Sequence, residues 1–118
     1  MSASNLRQIM RDTDARLEAA RDDDEVRRVG IDHMNALGAD LAATAYLKLV
    51  SRPDMTVDQQ AGFLKDTIGD LMTSIEASFV THGVQDVALL ADHLEAAEVG
   101  FVGRLDELFS VVRIGGRA

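Results

Sequence analysis

The sequence predicts an all-α fold: an antiparallel up-down four-helix bundle with a shorter first helix, with completion by dimerisation as the main architectural variant. Three observations carry that expectation. Apolar residues recur at three- and four-residue steps over almost the whole chain, the spacing of one helical face. Pro53 is the only proline, too few for a chain built of many tight turns. Four Phe, one Tyr and no Trp leave an aliphatic core, which 47% apolar residues can supply at ordinary globular usage. At 118 residues, with no low-complexity tract and no convincing internal repeat, residues 1–118 read as one domain.

Each helix has its own start and stop signals. Leu6, Ile9, Met10, Thr13, Leu17 and Ala20 carry the first, and Ser4 or Asn5 can cap its start. The acidic run Asp22-Asp23-Asp24-Glu25 interrupts it, and one of those aspartates should cap the second helix. That helix runs to about Ser51, with Val26, Val29, His33, Met34, Leu37 and Leu41 on its inner face. Pro53 ends it, because the residue before a proline is pushed out of the α region. Thr56 and Gln59 have capping-box spacing at the start of the third helix. Val57, Ala61, Leu64, Ile68, Leu71, Ile75 and Phe79 then keep a heptad rhythm, and Gly83 supplies a left-handed cap after His82. The fourth helix repeats the rhythm with Val87, Leu90, Leu94, Ala97, Phe101, Leu105, Leu108 and Val112, and should stop at Gly115-Gly116.

The three long helices are each about 40 Å at 1.5 Å per residue. Their connections are short, so consecutive helices should run antiparallel. The first and third connections then share an end, which gathers Asp22, Asp23, Asp24, Glu25 and Asp86 there. Between Lys65 and Arg104 the chain adds Asp66, Asp70, Glu76, Asp92, Glu95 and Glu98 and no lysine or arginine. The opposite end collects Arg7, Arg52, Arg113 and Arg117. With a net charge of −8 and a pI near 4.7, the acidic end is the expected docking surface for a basic protein partner. Such a partner would be steered over a Debye length of roughly 8–10 Å. Direct binding to nucleic-acid phosphate is excluded by the sign of the charge. The plainer alternative is a solvated surface whose acids favour helix N-termini.

Catalytic, cofactor and metal residues are not expected. The chain has no cysteine, which removes disulfides, thiolate zinc sites, iron–sulfur clusters and thiol nucleophiles. It has neither Glu-x-x-His nor His-x-x-x-His, the pairs with which helical bundles hold metals. His33 reads as a tucked structural histidine, His82 as a C-terminal capping residue, and His93 lies beside the stripe of the fourth helix. Ser74, Ser78 and His82 share a strip, yet no nucleophile elbow or oxyanion donors accompany them. In architecture alone the chain is similar to histidine phosphotransfer domains. Those domains place a lysine about one turn after the phosphorylated histidine, and neither His33 nor His93 is followed by one. Phosphotransfer is therefore the weakest alternative.

Two function classes remain. One is a small acidic interaction protein: an adaptor, an assembly or secretion chaperone, or an inhibitor. The other is a structural subunit of a larger assembly such as a phage virion or capsid. Homo-oligomerisation is expected in either case, because Ile31, Tyr46, Leu49, Phe63 and Val99 should project away from the core stripes. Gly30, Gly38, Gly62, Gly69, Gly100 and Gly103 all fall inside helices, each at a cost of about 0.5–1 kcal/mol. Ala96 and Gly100 offer a shallow strip where another helix can approach. No segment reaches the roughly 18 apolar residues of a membrane span, and Met1–Arg7 lacks the apolar core of a signal peptide. The expected location is the cytoplasm, or the virion under the structural alternative.

Overall fold

Local signals set the helix boundaries. In the computed structural model, which describes residues 5–117 and their side chains up to residue 110, α1 spans Leu6–Ala19 and α2 spans Asp23–Val50. Helix α3 covers Val57–Thr81 and α4 covers Val87–Arg117, with no strand among the described residues. Asp22 caps α2 by accepting the Glu25 N–H at 2.8 Å. Both halves of the Thr56–Gln59 capping box form, at 2.9 and 3.1 Å. Gly83, at φ 69°, turns the chain out of α3 in the left-handed conformation that glycine adopts without steric cost.

Two ends differ from expectation. Asn5 stands at the N-cap of α1, but its side chain makes no capping bond; its backbone N–H donates to Asp40 of α2 at 2.6 Å. Ser4, the other candidate cap, lies outside the described residues. Helix α4 does not stop at Gly115-Gly116 but continues to Arg117. Glycine weakens a helix without removing a backbone donor, so a pair of them lowers helix stability but is no obligatory stop.

The centre of the fold is the pairing of α2 with α4. Arg27 meets Asp92 at 2.7 Å, Asn35 Nδ2 donates to the Ala96 carbonyl at 3.3 Å, and Tyr46 stacks edge-on against Phe109 with ring centroids 5.3 Å apart. These pairs climb both helices together, so α2 and α4 lie side by side in one direction. A Cβ built on Gly38 would run into the carbonyl oxygen of Ala97, and one on Gly100 into that of Asn35. Main chain therefore touches main chain, an approach that side chains of any size would prevent. Ala42, Ala45, Ala96 and Ala97 continue this seam, and Phe101 and Leu105 pack with Ala42 in the core cluster.

The seam corrects the expected inner face of α2. Its buried residues are Val29, Gly38, Ala42, Ala45 and Leu49, whereas Val26 is exposed and His33, Met34, Leu37 and Leu41 are half-buried. Where two backbones touch, only small residues fit between them, and the large apolar side chains are displaced to the flanks. Helix α3 lies against both α2 and α4. It buries Ile75 and half-buries Leu64, Ile68, Leu71 and Phe79, while Val57 is exposed.

Helix α1 meets α2 alone. None of its residues is buried; Ile9 and Thr13 are half-buried, and Leu6, Met10 and Leu17 are exposed. An amphipathic stripe is roughly 100° wide and needs a groove between two neighbours to disappear. Against one neighbour only an edge of it is covered.

Candidate protein-interaction surfaces

The acidic end is organised by its helix starts. Asp22 caps α2, Glu25 accepts the Arg21 backbone N–H at 3.0 Å, and Asp86 accepts the Leu89 N–H at 3.0 Å at the start of α4. Asp23 and Asp24 are exposed. Arg27, not anticipated as part of this surface, lies among them. Its hydrogen bond to Asp92 raises its pKa above the ordinary arginine value, against partial desolvation, with the charges of Asp92, Asp86 and Asp24 adding to the effect. The fold thus brings Asp24, Asp86 and Asp92 around one guanidinium. Counting bases along with acids would have found it, since Arg27 follows Asp23 and Asp24 at the i+4 and i+3 spacings that face each other on a helix. Elsewhere Arg52 pairs with Asp54 at 3.5 Å; the side chains of Arg113 and Arg117 lie outside those described.

The residues expected to project outward divide. Val99 is exposed, at 56%. Ile31 and Phe63 are half-buried, and Tyr46 is half-buried against Phe109. Leu49 is buried, at 6% exposure, which corrects its placement: it follows Ala42 and Ala45 by seven and four residues and so continues the seam. Two hollows have largely apolar linings. Between α1, α2 and the end of α4 runs a groove of about 640 Å³ lined by Ile9, Ala43, Tyr46, Leu47 and Leu108. Between α3 and α4 lies an apolar hollow of about 650 Å³ lined by Met72, Leu94, Val99 and Val102, with Glu95 and Glu98 also on its wall.

The histidines are tied into the fold. His93 is the one buried polar or charged residue among those described. Its Nδ1 donates to the Leu89 carbonyl at 2.9 Å, and its ring stands edge-on to Phe79 with centroids 5.2 Å apart. Nε2 sits over Gly30, where a Cβ would come within 2.9 Å, so that glycine makes room for the imidazole. His33 Nδ1 is hydrogen-bonded to the Thr13 hydroxyl of α1. Burial lowers the His33 pKa, while the charge of Asp14 opposes and that of His93 reinforces the shift. His82 Nδ1 donates to the Ser78 carbonyl at 2.7 Å and Ser74 to the Asp70 carbonyl at 3.0 Å. The Ser78 hydroxyl also lies 3.4 Å from His82 Nδ1, a ring nitrogen already held by the Ser78 carbonyl.

Among the described residues no three His, Asp or Glu side chains converge as a metal-ligand set, and no helix is long and apolar enough to cross a membrane. No protein-family model matches the chain, and no curated protein or solved structure matches it.

Proposed function

We propose that this chain is a non-catalytic, acidic interaction subunit that works as part of a larger protein assembly. The observation that carries the reading is surface. The chain exposes 8218 Å², against about 6,300 Å² for a folded monomer of its 12.8 kDa. Its radius of gyration is 16.1 Å, against about 13.5 Å for a compact domain of this length. A helix with no buried residue belongs to the same pattern. Such a chain gains most by burying surface against other protein, as a structural subunit of a phage virion, a capsid or another assembly does. The test is light scattering at tens of micromolar: a mass of at least twice 12.8 kDa is expected, and a monomer at high micromolar concentration overturns the reading.

The convergence of Asp24, Asp86 and Asp92 favours a second reading, in which the acidic end receives a basic protein. Here Arg27 offsets part of the field, so the attraction acts more on encounter than on residence. Asp22, Asp23 and Asp24 replaced together by asparagine keep the capping ability. The triple variant should capture a lysine-rich peptide more slowly at low salt. Equal association rates would discard this surface.

A further inference from the structure

The assembly reading leaves open which face meets a second copy, and the distribution of charge chooses between the two apolar candidates. On α1, Arg7, Arg11 and Arg16 balance Asp12, Asp14 and Glu18. On residues 36–50 of α2, Lys48 balances Asp40. With Asp32, the partner of Arg16, this side carries a single net negative charge in a chain of net charge −8. Residues 66–103, by contrast, contain acids and neither lysine nor arginine. Two copies meeting at the α3–α4 hollow would bring Glu95 and Glu98 against their own equivalents with no counter-charge. Two copies meeting at α1 and α2 would not.

Geometry points to the same side. The bonds of α1 to α2 run from Asn5 on Asp40 to Arg16 on Asp32, and past Asp40 the two helices part into the open groove walled by Ile9, Ala43, Tyr46 and Leu47. Along that groove Leu47 is 48% exposed, and on α1 Met10 and Leu17 are 48% and 42% exposed. The surface excess, about 1,900 Å² per chain by the monomer scaling, exceeds the roughly 800 Å² that each partner gives to a standard interface. We propose that a second copy of this chain docks on the α1–α2 face, each α1 lying along residues 41–50 of the other copy's α2 about a two-fold axis. A closed, self-complementary contact of this kind is the commonest route to a homodimer. It places Met10 of one copy level with Leu47 of the other.

The inference rests on the assembly reading, and the experiment separates the two. The chain has no cysteine, so single thiols report single contacts. Chains carrying Met10→Cys are mixed with chains carrying Leu47→Cys and oxidised, with Met10→Cys plus Val102→Cys chains as the control. In parallel, Met10→Glu/Leu47→Glu and Val102→Glu variants are weighed by light scattering, with circular dichroism to verify their helix content. All three sites are exposed, so the fold should survive each change. The expected result is a mixed disulfide dimer severalfold more abundant for the 10–47 pair than for the control. The mass should fall to half in the Met10→Glu/Leu47→Glu variant and stay unchanged in Val102→Glu. A wild-type oligomer that the Met10→Glu/Leu47→Glu variant leaves intact overturns this face while assembly stands. A monomeric wild type overturns both.

Discussion

At Gly38 and Gly100 the backbones of α2 and α4 touch, whereas α1 lies along α2 without burying one residue. Yet α1 has the sharper segregation of apolar from polar residues, and α2 has scarcely any. Pattern and burial are thus inverted between the two regions. The number of neighbours explains it. Helix α2 has α1, α3 and α4 around it and needs no single apolar face, while α1 has one neighbour and cannot hide the face it has. In α1 a strong amphipathic stripe thus goes with a peripheral position, and in α2 a weak one goes with a place among three neighbours.

Substitutions can break or sharpen that contrast. The largest effect is expected from Phe101→Ala, at the most deeply buried large side chain of the seam. It should lower unfolding stability in urea by about 3–5 kcal/mol. Gly38→Ala and Gly100→Ala come next, with a loss of about 1–3 kcal/mol each, because forcing the backbones apart outweighs the gain in helix propensity. Gly62→Ala is the control: nothing lies within 4 Å of its Cβ position, so it should gain about 0.5–1 kcal/mol. If Gly38→Ala stabilised as Gly62→Ala does, the seam would not be in contact. On α1, Ile9→Ala should cost about 1 kcal/mol, within the ordinary range for one substitution. A loss matching that of Phe101→Ala would remove the distinction between centre and periphery.

The smallest effect concerns pH. Burial depresses the His33 pKa in the folded chain, so the unfolded chain binds the proton more readily. The contribution of His33 to stability is full above the ordinary histidine value of about 6.5 and is lost as pH falls through the lower, folded value. His33→Gln should flatten that acid-side decline in urea midpoints measured at stepwise lower pH. An unchanged slope would separate His33 from the α1–α2 contact.

Three helix ends were legible because capping is local, while the start of α1 and the end of α4 were not. Asp22, the Thr56–Gln59 pair and Gly83 each announce a boundary within a few residues of sequence. The inner face of α2 was not legible, because searching for large apolar residues finds the flanks of a seam and passes over its middle. Gly38, Ala42 and Ala45 look neutral in a periodicity count, and only the partner helix reveals that they are where the chain is tightest. The same blindness put Leu49 on the outside. Gly30, Gly38 and Gly100 have neighbours that require them, but Gly62, Gly69 and Gly103 face open space; of the six, only Gly100, four residues after Ala96, stood out in sequence as a place of close approach. At the acidic end the aspartates were found and Arg27 was not, since runs of one sign draw attention away from an interspersed base.

The parallel pairing of α2 with α4 also governs how the chain can fold. Asn35 meets Ala96 across 61 residues and Arg27 meets Asp92 across 65. No hairpin can make those contacts, because the chain must cross back through α3 for α4 to run in the direction of α2. Hairpin contacts such as Phe79 with His93 are local and can form early, at little cost in loop entropy. The seam has to wait for them. Folding speed follows the sequence separation of the contacts that matter, so the refolding rate of this helical chain should be set by one late docking event, and substitutions at Gly38 or Gly100 should slow refolding where those on α1 leave it alone.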